Sequence, residues 1–268
     1  MLTLETITSA ANPLLKDVRR AVARGSLTEA GWCLAESRHL LEEALVSGSE
    51  VKAVLAAESA RASLEALAGK LTGVKTMVLP DALFAGIAAT ETSQGVMALV
   101  VPRSWKLDQL FKGKPLVVVL DGLQDLGNAG AIVRAAEAFG ASGVVFLKGT
   151  VSPHNPKTLR ASAGSLFRVP FVHGVAAATA LATLRQNGIR LFAAMPAAAA
   201  TPGDSLAATD FRSRCGLIVG SEAHGVGAEW RAAAAPVSIP TVGVESLNAA
   251  MAAGILLYEA RRQRMAGS

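Results

Sequence analysis

Apolar positions along this chain keep two different rhythms, with the change falling in the segment 102–115. Before it, short apolar runs alternate with stretches of helical spacing. Asn12-Pro13 marks a helix start, asparagine as cap and proline in the first turn, and that helix runs to about Arg24. The pattern predicts further helices over 35–47, over 59–72 by the stripe Leu64, Leu67 and Leu71, and over 81–88. Strands are predicted at Val51–Ala57, Lys75–Leu79 and 95–101. Residues 102–115 (PRSWKLDQLFKGKP) break the pattern with polar residues, proline and glycine, and read as a linker.

From Leu116 onward the strands are apolar throughout, at 116–120, Gly143–Leu147, 190–194, 216–219 and 237–239. Helical stretches separate them at 128–139, at about 176–187 and from 246 to about 264. Continuous apolar strands without alternation belong to a parallel sheet covered on both faces. The fold class is therefore α/β, with one domain over 1–103 and a second over 115–268. Alanine runs at 197–200 and 232–235 are assigned no function.

Of the 268 residues, 51% are hydrophobic and 18% charged, which excludes a disordered chain. The longest charge-free run, 169–184, has 16 residues and contains Pro170 and His173. A membrane helix needs about 20, so none is expected. The N-terminus lacks the basic flank and apolar core of a signal peptide, and Cys33 and Cys215 sit in no motif. A cytoplasmic protein with reduced thiols is expected. The net charge of +5 taken alone fits a slightly basic housekeeping protein, and the sharper reading is an electrostatic footprint for a polyanion. Basic residues cluster at Lys16, Arg19, Arg20 and Arg24. A second cluster, Arg261, Arg262 and Arg264, falls in the last turn of a helix, where cations need no ligand.

Ligands of parallel sheets bind outside the carboxyl ends of the strands. Three strand ends here carry polar or glycine-rich chemistry: 121–134, 220–225 and 240–248. Glycines 122, 127 and 130 lack the G-x-G-x-x-G spacing and no G-x-x-x-x-G-K-[ST] occurs, which counts against a dinucleotide-dependent oxidoreductase or an NTPase. A phosphate could still sit at the helix start near Asn128, where asparagine otherwise reads as a plain cap. His39, His154, His173 and His224 form no i, i+4 pair, so no metal site is expected. Ser221 directly follows Gly220, which is not a nucleophile elbow.

In order and spacing, the three segments resemble the motifs of SpoU-type (TrmH-like) RNA 2′-O-ribose methyltransferases of the SPOUT superfamily. The first reads Asp121…Gly127-Asn128-x-Gly130-x-x-x-Arg134 and the second Gly220-Ser221-Glu222-x-x-Gly225. The third reads Ile239-Pro240…Glu245-Ser246-Leu247-Asn248 and leads into an alanine-rich helix. Asn155-Pro156-Lys157…Arg160-Ala161-Ser162-Ala163-Gly164 is also similar to the family. The front part, with Ile7-Thr8-Ser9…Asn12-Pro13-Leu14-Leu15-Lys16 and Thr92-Ser93-Gln94-Gly95-Val96, resembles the RNA-binding domain such enzymes carry. That domain is similar to a class of RNA-binding ribosomal proteins. The resemblance implies a trefoil-knotted parallel-sheet catalytic domain and a smaller α/β ribosomal-protein-like N-terminal domain. It further implies S-adenosyl-L-methionine as cofactor and a homodimer whose active site is completed across the interface. The implied partner is RNA, ribosomal rather than transfer RNA because of the front domain.

Methyl transfer to a ribose hydroxyl is an in-line displacement, so the protein must align two reactants and help a weakly acidic hydroxyl lose its proton. By resemblance, the cofactor sits at Gly220, Ile239 and Leu247, with Ala194 nearby. Gly220 would let backbone approach it closely, and Ile239 and Leu247 would wall the adenine. The family's proposed base corresponds to Arg134. Guanidinium groups hold their proton too tightly for that task, so bidentate phosphate binding and stabilisation of the developing alkoxide suit Arg134 better. Asn128 would cap the helix and orient Arg134, and Glu222 would hold Arg134 or a backbone amide. Ser246 and Asn248 would bind the target nucleotide or the methionine end. Lys16, Arg19 and Arg20 would join Arg134 in contacting RNA. The chain departs from the family at Thr241, where methionine is common, at Ala249-Ala250, usually Val-Ser, and at Ser37, usually glycine. A non-catalytic RNA-binding protein with the same fold is the rival reading. Against it, Asn128, Arg134, Glu222, Ser246 and Asn248 are all present.

Overall fold

The computed structural model describes residues 4–196 and 201–266, so the alanine run at 197–200 lies outside the described residues. The chain divides into two compact units, one of residues 1–103 with His154–Phe167, the other of 104–153 with 168–268.

The first unit is built on a mixed five-stranded sheet. Its strands are β1 (Leu4–Thr6), β2 (Cys33–Glu36), β3 (Val51–Ala57), β4 (Lys75–Leu79) and β5 (Val96–Val100), in the order β1-β4-β3-β5-β2. Helix α1 (Pro13–Arg24) starts as expected: the Asn12 side chain accepts from the Leu14 N–H, and Gly25 closes the helix in the left-handed conformation. Leu15, Val18 and Ala21 form its buried stripe.

The helix expected over 35–47 begins later. Residues 33–36 are a fully buried strand, β2, paired antiparallel with β5, and α2 (Arg38–Val46) follows. Sheet pairing overrides local helix preference here. Between them Ser37 adopts φ 140 and ψ 157 and caps α2, its Oγ accepting from the Leu40 N–H at 3.1 Å. The stripe Leu64, Leu67 and Leu71 is buried as predicted, but a short α3 (Arg61–Glu65) between two 3₁₀ turns carries it rather than one long helix. The helix expected over 81–88 is α4 (Asp81–Ala85).

The second unit holds a six-stranded, wholly parallel sheet. Ahead of it, the segment expected to be a linker forms a 3₁₀ turn, Leu107–Phe111. Leu110 and Phe111 are buried in this unit's core, because their apolar side chains outweigh the polar residues around them. Strand β6 (Leu116–Asp121), helix α5 (Leu126–Ala138) and strand β7 (Gly143–Leu147) come next. The chain then contributes α6 (Pro156–Ala161) to the first unit before returning as β8 (Phe171–Val175). Helix α7 (Ala177–Gln186), β9 (Arg190–Met195), β10 (Cys215–Gly220), α8 (Ala228–Ala233), β11 (Ala235–Ser238) and α9 (Ala249–Ala266) complete the unit.

The strand order is β11-β9-β10-β6-β7-β8. Chain direction across the sheet reverses beside β6, where β10 lies next to it with Gly220 in register with Asp121. Such a switch point opens a crevice at the carboxyl ends of the strands. Helices α5 and α9 meet, with Phe139 and Tyr258 edge to face at 5.8 Å. Two of the three C-terminal cations are held internally. Arg264 donates to the carbonyls of Phe211, Lys114, Pro115 and Ser213, and Arg262 pairs with Glu259 at 2.7 Å.

Candidate active site

The β6–α5 loop supplies the first wall. Its cap is Asp125, whose Oδ1 accepts from the Asn128 N–H at 2.6 Å. Asn128, expected to cap the helix, therefore lies inside the first turn, and its amide is free for another task. Its Nδ2 donates to Glu222 Oε1 at 2.7 Å, and its Oδ1 accepts from Asn248 Nδ2 at 2.9 Å. Asn248 Oδ1 in turn accepts from the N–H groups of Ala250 and Met251, capping α9. One chain of hydrogen bonds thus joins the three motifs. Contacts to a charged group contribute about 1.5–3 kcal/mol and neutral ones about 1. Glu222, expected to hold Arg134 or a backbone amide, spends Oε1 on the Asn128 side chain instead.

The second loop folds back on itself. Ser221 and Gly225 exchange backbone hydrogen bonds at 3.1 and 2.8 Å, and the Gly227 N–H donates to Asp121 Oδ2 at 2.7 Å. A Cβ on Gly220 would come within 2.1 Å of the Gly225 carbonyl carbon. Glycine is required at 220 by the loop's own closure. In the third loop Thr241 Oγ1 donates to the Val244 carbonyl at 2.9 Å, an internal tie that methionine at this position could not make.

These loops enclose a cavity of about 640 Å³. The four residues expected at the cofactor, Ala194, Gly220, Ile239 and Leu247, all line it, as do Glu222, Ser246 and Asn248. Arg134 does not; it lies on the exposed face of α5 with no hydrogen bond or ion pair among the described residues. Lys16, Arg19 and Arg20 are exposed on α1 in the other unit. There Arg19 Nε donates to the Gly86 carbonyl at 3.1 Å and Arg20 pairs with Glu29 at 2.7 Å. Sequence reasoning missed Asp125, although an aspartate three residues before Asn128 has N-cap spacing. It named Asp121 and Glu245 within the motifs without giving them a role, and it missed Arg231 and Val237 as site residues; Arg231, Val237 and Glu245 line the cavity.

The cavity's volume falls in the range of small-molecule sites, about 300–1,000 Å³. Val237, Ile239, Leu247 and Leu256 offer apolar walls for a purine. Glu222 and Glu245 favour cationic groups, and Arg231 favours a carboxylate. The donor set fits S-adenosylmethionine, which carries all three kinds of group.

Comparison with known proteins agrees. The SpoU rRNA Methylase family matches residues 115–258, and the MRM3-like substrate binding domain matches residues 12–98. A 23S rRNA (guanosine(2553)-2′-O)-methyltransferase, RlmP, of Bacillus subtilis is 32% identical over 96% of this chain and 100% of that protein. A Synechocystis protein described as an uncharacterized tRNA/rRNA methyltransferase is 34% identical over 99% of this chain and 96% of its own length. The crystal structure of an AdoMet-bound rRNA methyltransferase from Sinorhizobium meliloti superposes with a TM-score of 0.83 at 28% identity, covering 97% of this chain and 98% of that one.

Fold and site together define an RNA methyltransferase of the SPOUT class. The chain belongs to the SpoU rRNA methylase family.

Proposed function

We propose that this protein methylates a ribose 2′-hydroxyl in ribosomal RNA, using S-adenosyl-L-methionine bound in the cavity beside the carboxyl ends of β9 and β10. The observation that carries the reading is the Glu222–Asn128–Asn248 chain, which ties three motifs around one cavity of suitable size and chemistry. When bound, S-adenosylmethionine supplies a methyl group on a positively charged sulfur, which departs as a neutral thioether. Ala194, Ile239 and Leu247 hold its adenosine part, and Ser246 receives the methionine end or the target nucleotide. Asn128 and Asn248 keep the loops in register, so alignment is set before the reactants arrive. Arg134 holds an RNA phosphate and stabilises charge developing on the 2′-oxygen. The first unit binds the RNA, with Lys16, Arg19 and Arg20 on its surface.

The active form is a homodimer in the cytoplasm. Met251, Tyr258 and Met265, seven residues apart on α9, are each more than half exposed and form one apolar stripe, which monomers seldom leave bare. Arg134, outside the cavity lining of its own chain, serves the site of the second copy. No helix among the described residues is long and apolar enough to cross a membrane.

Titration calorimetry with S-adenosylmethionine tests the cofactor assignment: the folded protein is expected to bind, and absence of binding removes the proposal. Mapping ribose methylation in total RNA from cells with and without the gene identifies the nucleotide. A lost mark in transfer RNA alone would overturn the ribosomal assignment.

A further inference from the structure

We propose that Lys157 and Arg160, on one face of α6, form a phosphate-binding site for the RNA substrate, with Arg160 set in place by the buried carboxylate of Glu36. This rests on the RNA-directed reading above and assigns part of the substrate contact to a segment, His154–Phe167, that lies within the methylase match but folds with the first unit.

Glu36 ends β2 and is 3% exposed. Its Oε2 accepts from the Ala89 N–H and its Oε1 from the Thr90 hydroxyl, both at 2.7 Å. Two neutral donors leave the charge uncompensated, and a buried carboxylate needs a cation. Arg160 is that cation, its Nη1 3.9 Å from Glu36 Oε2. The distance is too long for a hydrogen bond, and Nη1 is buried with no partner.

Other arginines of this chain serve a carboxylate differently. Arg262 turns its fork onto Glu259, with Nε and Nη2 each at 2.7 Å, and Arg168 Nη2 meets Glu137 Oε2 at 3.0 Å. Arg160 balances Glu36 through its field while keeping its donors free of protein acceptors among the described residues, and its side chain is 34% exposed. A guanidinium anchored on its inner side and open on its outer side is preorganised for an oxyanion.

Lys157 lies three residues earlier, on the same face of α6, exposed and without an acceptor among the described residues. The helix cannot roll to hide these cations, because Thr158 and Leu159 are buried on its other side. Asn155, which caps α6, is wedged against α1: a Cβ on Gly25 would lie 2.1 Å from its Nδ2. A lysine and an arginine fork on one fixed face, with no carboxylate hydrogen-bonded to either, match a phosphodiester.

The test uses the full chain and in-vitro-transcribed 23S ribosomal RNA, with affinity measured across a salt series. Lys157→Gln and Arg160→Gln are each expected to weaken binding roughly 3- to 10-fold at low salt and to reduce the slope of log affinity against log salt by about 1. Arg160→Lys should keep the slope, since the charge stays, and lose part of the affinity. Affinity for S-adenosylmethionine should not change in any of them. If Arg160→Gln fails to fold because Glu36 is left alone, the double variant E36Q/R160Q and the single K157Q carry the same expectation. A lower melting temperature with an unchanged salt slope in these variants would mean that Arg160 serves only Glu36, and would overturn the proposal. RNA binding does not require the cofactor, so a failure to bind S-adenosylmethionine counts against the functional reading and not against this site.

Discussion

Ser37 holds a backbone conformation that glycine enters freely and a β-carbon resists, at a cost of about 1–3 kcal/mol. Its hydroxyl recovers part of this by capping α2. Replacing a serine cap by glycine loses only a few tenths of a kcal/mol, and the extra freedom of the unfolded chain costs roughly 0.5–1 more. Relief of strain exceeds their sum, so Ser37→Gly should stabilise the protein by about 0.5 kcal/mol. Urea unfolding should show a higher midpoint at constant slope; a lower midpoint would mean that the cap outweighs the strain. At the same scale, burial pushes the Cys33 thiol from 9.0 up to about 12, and burial raises Cys215 as well. The folded value lies above the unfolded one, so the stability linked to Cys33 is intact below pH 9 and is lost as pH climbs from 9 towards 12. Neither thiol should react with a thiol reagent in the native protein at mildly alkaline pH, and both should react once denaturant is added. Rapid labelling of the native protein would refute this burial.

Among the elements, α9 carries two duties on opposite faces. Its inner face, with Ala253, Leu256, Leu257 and Ala260, is buried in the second unit. Its outer face shows Met251, Tyr258 and Met265 to solvent. On the proposed dimeric reading this apolar stripe is the surface for a second copy, and a charge at its centre is incompatible with burial there. Tyr258→Glu should therefore convert the proposed dimer to a monomer in light scattering, with only a modest loss of monomer stability, since Tyr258 is 55% exposed and gives up only its edge contact with Phe139. A variant that stays dimeric would move the interface elsewhere. Elements also mark the limits of local pattern. The 3₁₀ turn Leu107–Phe111 sits in a polar, glycine-containing segment, and only the core waiting for Leu110 and Phe111 makes it fold.

At the scale of the whole molecule, Arg134 lies outside the cavity lining of its own chain, and on the proposed dimeric reading the catalytic unit is two copies. Arg134→Ala should abolish methylation while leaving S-adenosylmethionine affinity nearly unchanged, as read by calorimetry. Mixing R134A with Asn248→Ala subunits should restore part of the activity, because one site of the mixed dimer then has both groups intact. No recovery, in dimers shown to have exchanged subunits, would return Arg134 to the site of its own chain.

From the sequence came the parallel sheet and the order of the three loops, and from its motifs Ala194, Gly220, Ile239 and Leu247, which line the cavity, though not Arg231 or Val237. Each depends on local signals: unbroken apolar runs such as Leu116–Asp121, and motifs whose spacing survives in one dimension. Tertiary structure alone decided the rest. Strands β1, β2 and β8 exist because distant strands pair with them. Asn128 gave its capping place to Asp125 and became the link between Glu222 and Asn248, residues 94 and 120 positions away. The segment around Arg160 folds with the first unit, where Leu159, Leu166 and Phe167 are buried and Arg160 comes 3.9 Å from Glu36. Periodicity registers neighbours a few residues apart, whereas a hydrogen bond or a buried charge is satisfied by whichever group the fold brings within reach.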